Sequence, residues 1–213
     1  SPAAPGDPAF DRATAVVIGN GRTALDAAAA AAADRGFEPL VLASGVRGEA
    51  SDAAVTHVAV GEECAARGSP VEPPAVLLSG GETTVTLGEE SGSGGPNAEF
   101  AASAGVALAA SPSGFDGDAV VASVDTDGAD GSTDAAGAVT DATTFRPGAA
   151  GEPDGSAVDD DAPDLAAARA ALDRHDVAPL LERAGALLRT GPTGTNVDDL
   201  RVVAVGSPVA DGG

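Results

Sequence analysis

The sequence predicts an α/β fold, a three-layer sandwich with a mixed, mostly parallel sheet flanked by helices. Three observations predict it. Short apolar runs of strand type alternate with Ala-rich runs of helix type along all 213 residues. Glycines and prolines punctuate the joints between these runs. Hydrophobic residues make up 43% of the chain, which argues for a packed core where the acidity alone would suggest disorder.

Residues 1–11 read as a Pro/Gly-rich linker and 12–213 as the α/β domain. Ala15–Ile18 reads as a short buried strand closed by Gly19-Asn20-Gly21. Thr23–Arg35 is Ala-rich without a breaker, hence a helix, and Gly36 is placed to end it. Pro39–Ala43 reads as the next strand. These pieces form a β-α-β unit, which implies parallel strands and a right-handed crossover. Glu49–Arg67 reads as a helix stopped by Gly68-Ser69-Pro70. Ala75–Leu78 and Thr83–Leu87 read as strands joined through the tight Ser79–Glu82 turn, which makes the sheet mixed. Pro96 suits the first turn of a helix running to about Ala110, because its missing N–H costs nothing there. Ala119–Val124 reads as a strand, followed by an Asp/Gly loop and a short helix near Asp134–Val139. Residues 146–163 read as an exposed acidic loop insertion. Ala166–Asp173 and Ala178–Leu188 read as helices, and Leu200–Val205 as the last strand.

Charge excludes several functions. The chain carries 33 Asp+Glu against 11 Lys+Arg, a formal net charge of −22. That charge repels phosphate backbones and anionic lipid surfaces, so no nucleic acid and no membrane is expected as a partner. No run of about 18 apolar residues exists to span a bilayer. The first residues lack the basic and apolar parts of a signal peptide, and Cys64 alone cannot form an internal disulfide. A cytoplasmic location is the expectation. Every basic residue is Arg; without Lys, this chain contains no P-loop lysine and no Schiff-base lysine. Acid excess, Asp over Glu and Arg without Lys together resemble halophile proteins, in which salt screens self-repulsion. That resemblance concerns habitat rather than chemistry.

Four segments carry candidate chemistry. Gly19-Asn20-Gly21-Arg22-Thr23-Ala24 fits G-x-G-x-x-A between a strand and a helix, as a dinucleotide site needs, and equally fits a structural turn. The loop from Asp125 to Asp134 follows a strand's C-terminal end, where open α/β sheets bind ligands. Its four carboxylates, Asp125, Asp127, Asp130 and Asp134, are costly to assemble without a neutralising group. It fails the EF-hand pattern, having Ala129 and Ala136 at the fifth and twelfth positions. Thr190–Asn196 (TGPTGTN) offers amides and hydroxyls as an anion cradle, as does Ser79–Thr84 with Gly92–Glu99 leading into a helix. His57 and Cys64 can share a helix face, but no further Cys or His has metal-like spacing, so a structural role is expected.

Taken in order, LLSGGETTVTLG at 77–88, GSGGPNAEFA at 92–101, VDTDGADGSTDAAGAVTD at 124–141 and TGPTGTNVDDL at 190–200 resemble the C-terminal half of type II glycerate kinases, the MOFRL domain. Residues from about Phe10 to Gly68 resemble the stretch that precedes it. Members of the family are often labelled hydroxypyruvate reductase. The resemblance implies ATP-dependent phosphorylation of glycerate to 2-phosphoglycerate, with Mg²⁺, in a cleft shared with a larger N-terminal domain that supplies a lysine. It implies that this chain alone is inactive, and it leaves homo-oligomers open.

By motif position the resemblance makes Asp127 the catalytic carboxylate and Asp127 with Asp130 candidate metal ligands. It makes Ser79, Gly80, Gly81, Glu82, Thr83, Gly94, Gly95, Asn97, Glu99, Thr126, Gly128, Asp130, Thr133, Asp134, Thr193, Gly194, Thr195 and Asn196 candidate substrate or phosphate contacts. One departure stands out: where the family often has a functional Arg, this chain has Pro96, and Arg22 is a candidate replacement. The alternatives are an NADP(H)-dependent hydroxypyruvate reductase using Gly19–Ala24, and a non-catalytic interaction domain.

Overall fold

A computed structural model describes residues 4, 6–14, 16–88, 92–111, 119–145 and 163–206. The strands are β1 (Glu38–Val46), β2 (Ala75–Gly81), β3 (Ala119–Asp125), β4 (Gly137–Asp141), β5 (Leu187–Leu188) and β6 (Asp199–Val205). The α-helices are α1 (Gly21–Ala33), α2 (Ala50–Arg67), α3 (Pro96–Ala110), α4 (Leu165–Asp173) and α5 (Ala178–Arg183). The strands form one sheet in the order β1-β2-β6-β3-β4-β5.

The sheet is mixed and helix-flanked, as expected, but its balance is not mostly parallel. Only β1 and β2 pair in parallel, through the α2 crossover, and every other neighbouring pair is antiparallel. The reason is β6, which enters between β2 and β3 and runs against both.

Three layers result. Leu25 and Ala32 of α1 cover one face against Val76 and Leu78. On the other face, Ala50, Ala54, Val58 and Cys64 of α2 meet Phe100, Ala104 and Leu108 of α3 over Leu77, Val121 and Val203. A further cluster joins α3 to α4 and α5 through Ala101, Phe145, Ala168 and Leu181. Helix α3 is therefore buried nearly all round, which fits its lack of a polar stripe.

Four expectations are corrected. Val16, Val17 and Ile18 form no strand; they stand 73%, 80% and 97% exposed, because none of the described strands runs beside them. Thr83–Leu87 forms no strand either. It runs beside the Gly48–Ala50 stretch, with the Thr84 N–H on the Gly48 carbonyl (2.9 Å) and a single bridge from Thr84 to Glu49. The helix expected near Asp134–Val139 is β4 instead, since β3 offers Gly137–Asp141 an antiparallel ladder that outweighs local alanine propensity. Finally, the helix expected over Ala178–Leu188 stops at Arg183, and Leu187–Leu188 pair with β4. Residues 146–162 of the expected insertion lie outside the described residues.

Candidate active site

The C-terminal ends of β2 and β3 and the N-terminal end of β6 meet at one rim of the sheet. Three loops gather there: the one after β2, the Asp/Gly loop after β3, and Thr190–Asn196 ahead of β6. They make two layers, an open pocket and a buried polar network under it.

The pocket is about 710 Å³ and is lined by Asp127, Gly128, Ala129, Asp134, Arg189, Gly191, Pro192, Gly194, Thr195 and Asn196. Asp127 holds its carboxylate in place by accepting from the Ala129 N–H (2.9 Å) and the Asn196 side-chain amide (3.1 Å). Its own N–H donates to the Asp125 carboxylate (3.0 Å). Gly128 adopts φ +95°, and a Cβ there would overlap the Gly191 carbonyl oxygen, so the two loops touch backbone to backbone. Thr126 and Thr193 staple them: the Thr193 hydroxyl donates to the Thr126 carbonyl (2.6 Å), and the Thr126 hydroxyl accepts from the Val197 N–H (2.8 Å). Thr133 serves its own loop, donating to the Asp130 carbonyl (2.9 Å). These hydroxyls therefore shape the rim rather than facing the pocket.

The second layer begins with Asp130, which is 1% exposed. Its carboxylate accepts from the Asn97 N–H (3.0 Å), the Ala98 N–H (2.7 Å) and the Asn97 side-chain amide (3.3 Å). Gly95, the N-cap residue of α3, offers no side chain to do this, and its lack of a Cβ lets Asp130 come that close. Two of the amides proposed to cradle a phosphate at this helix start are thus taken by the chain's own carboxylate. Burial pushes the Asp130 carboxyl up to about 6, against the pull of its N–H partners. Asp130 does not line the pocket with Asp127, so the expected carboxylate pair for a metal is not brought together. Among the described residues no group of three or more His, Cys, Asp or Glu is placed to hold a metal ion.

Behind Asn97 lies a pair that sequence reasoning missed. Arg201 is fully buried on β6 and ion-paired to Asp199 two residues before it on the same strand face. Asp199 accepts from the Asn97 side-chain amide (2.8 Å) and the Thr83 N–H (3.3 Å), and Arg201 donates to the Thr83 hydroxyl (2.9 Å). The Arg201 guanidinium also sits 5.3 Å from the Phe100 ring centroid. Burial lowers the Arg201 pKa and Asp199 opposes that. The signal was present in the sequence as a lone arginine inside the apolar run LRVVAV.

The other expected contacts are scattered. Ser79 is buried, 2.7 Å from His57 Nε2, and burial is the chief cause that lowers the His57 pKa. His57 and Cys64 both lie in the core, as expected of structural residues. Gly80 and Gly81 end β2 inside the sheet, whereas Glu82 is exposed. Gly94 packs on Val177. Glu99 turns away from the pocket to His175 Nδ1 (3.0 Å), and burial raises its pKa. Pro96 occupies the first turn of α3. Arg22 pairs with Asp26 on α1 (2.8 Å) and does not line the pocket, whereas Arg189, also missed from sequence, does. The Gly19–Ala24 segment lacks the strand a dinucleotide motif requires. Asn20 closes the helix start by accepting from the Thr23 N–H (3.1 Å).

Residues 75–199 match the MOFRL family. The chain belongs to the MOFRL family. This MOFRL chain is 37% identical over 191 residues to a glycerate 2-kinase from Pyrococcus horikoshii, covering 90% of this chain and 39% of that protein. It is 39% identical over 193 residues to an Agrobacterium vitis protein named as a hydroxypyruvate reductase, covering 89% and 45%. The crystal structure of glycerate kinase from Thermotoga maritima superposes with a TM-score of 0.76 at 33% identity, over 89% of this chain and 41% of that one. The MOFRL chain thus spans less than half the length of these relatives.

Proposed function

We propose that this chain is part of an ATP-dependent glycerate 2-kinase, and that its pocket forms one wall of a cleft completed by a domain outside the chain. The observation that carries the reading is Asp127. Its carboxylate is oriented by two donors at the mouth of a pocket walled by glycine backbone, in a chain whose relatives are named glycerate kinases. In this reading the glycerate 2-hydroxyl attacks the γ-phosphorus of ATP, the bond to ADP breaks, and the hydroxyl proton passes to Asp127. Asn196 fixes the carboxylate toward the substrate. Arg189 is the cationic side chain among the pocket-lining residues, a candidate phosphate contact that Pro96 cannot be. It is held by Asp134 (3.1 Å) and Glu182.

Asp127 is the pocket carboxylate that would hold Mg²⁺ from this chain, since Asp130 is buried beneath the pocket and Asp134 is paired with Arg189. When bound, it would neutralise charge on the transferring phosphoryl group. The test is formation of 2-phosphoglycerate from glycerate and ATP at molar salt, with the missing portion of the enzyme supplied. Activity lost in Asp127→Asn, with the circular dichroism spectrum unchanged, supports the proposal. No product from the complete protein, or an Asp127→Asn variant as active as the parent, refutes it.

A further inference from the structure

The segment just ahead of α1 is at odds with its sequence. Val16, Val17 and Ile18 are β-branched and contiguous, the composition of a strand. Yet they are 73%, 80% and 97% exposed, and among the described residues no backbone group of Val16–Gly19 has a backbone partner. The pattern does not alternate. A strand with one wet face alternates apolar and polar, whereas an unbroken apolar run belongs to a strand covered on both faces, as in parallel sheets packed between helices. Isolated surface hydrophobes need no explanation, but three in a row with open main-chain groups do.

Its place in the fold is equally specific. The segment ends at Asn20, which caps α1, and Gly21 lies beside the Val197 carbonyl oxygen, 3.3 Å from where its Cβ would stand. Val197 follows Asn196 of the pocket lining. The unpaired run therefore leaves the molecule at the rim that carries Asp127. The matched relatives have more than half their length outside the part this chain spans.

We propose that Val16–Ile18 is a strand of the neighbouring domain's sheet: it inserts by main-chain pairing into an α/β domain formed by the portion of the relatives that this chain does not span. The pairing fixes that domain over the Asp127 rim, so the segment serves as both covalent link and interdomain clamp. The inference rests on the two-domain reading above for its occupant, but not on phosphoryl transfer.

Hydrogen–deuterium exchange of residues 16–19 tests it. The segment is measured in this chain alone and in the chain joined to the portion it does not span. Open-chain exchange in the first and at least about 100-fold slower exchange in the second is the expected result. Equal, fast exchange in both overturns the proposal. So does protection already present in the chain alone, which would mean pairing with its own β1 edge or, if it varies with concentration, with a second copy. Val17→Pro, which removes one N–H, should cut protection of the segment in the joined protein at least tenfold while α1–α5 keep theirs. Because exchange is the readout, a protected but inactive protein refutes the kinase reading alone, and an unprotected but active one refutes the clamp alone.

Discussion

Replacing Asp130 by Asn tests the reading of this residue as a buried cap that prefers to be protonated. Its folded pKa is about 6, against 3.8 when free, with burial as the leading cause. A carboxyl raised on folding adds stability that is full below its unfolded pKa and is lost as pH rises through its folded pKa. The full span is a gap of about two pH units at about 1.36 kcal/mol each, so about 3 kcal/mol. About 2 kcal/mol of it falls between roughly pH 4.5 and 7.5. Asparagine cannot ionise, so Asp130→Asn lacks this dependence, while the other raised acids, Asp125 and Glu99, titrate in both proteins and cancel. Urea unfolding at several pH values, in one high salt concentration, gives the stability of parent minus variant. That difference should fall by about 2 kcal/mol from the acid to the neutral end. A difference that stays flat, or that grows with pH, would show that the three N–H donors outweigh burial and hold Asp130 ionised.

Arg201→Met should destabilise by roughly 3–5 kcal/mol in urea unfolding, because Asp199 is left buried without its cation, and adding Asp199→Asn should recover part of the loss. Full stability in the single variant would refute the ion-pair account. Gly128→Ala combines an unfavourable φ, worth about 1–2 kcal/mol, with overlap on the Gly191 carbonyl. In the two-domain kinase proposed above we expect at least about a tenfold loss of phosphoryl transfer with an unchanged far-ultraviolet spectrum, and full activity would show that the loops can part. With a net charge of −22, Tm should rise by more than about 5 °C between roughly 0.1 M and molar KCl, as the Debye length shrinks from roughly 10 to 3 Å. A Tm that ignores salt would remove the halophilic interpretation.

Much of the architecture was legible because it is local. Helix α2 is an uninterrupted apolar and polar pattern ended by Gly68, and β2 and β6 are apolar runs bounded by turn residues. The Asp127 and Thr190–Asn196 loops were legible as motifs, and they do share a rim. What escaped depends on partners far along the chain. Asp134–Val139 looks helical until β3 is known to lie beside it. Asp130 looks like any other acid in its loop until α3, more than thirty residues earlier, presents its N–H groups. Arg201 and Thr83 meet across a separation of 118 positions, which no window of residues reveals.

The place of β6 has a kinetic consequence. Among the described strands it comes last in chain order, yet it lies between β2 and β3 and supplies ladder bonds to both. Until residues 199–205 leave the ribosome, β2 and β3 have no shared partner, and each presents an open apolar edge. The sheet therefore closes like a zip fastener whose slider arrives at the end, and Asp199 and Arg201 travel on that slider. Closure of the sheet and assembly of the Asp199–Arg201 network should be a single event, so a nascent chain stalled before residue 199 would be prone to aggregate.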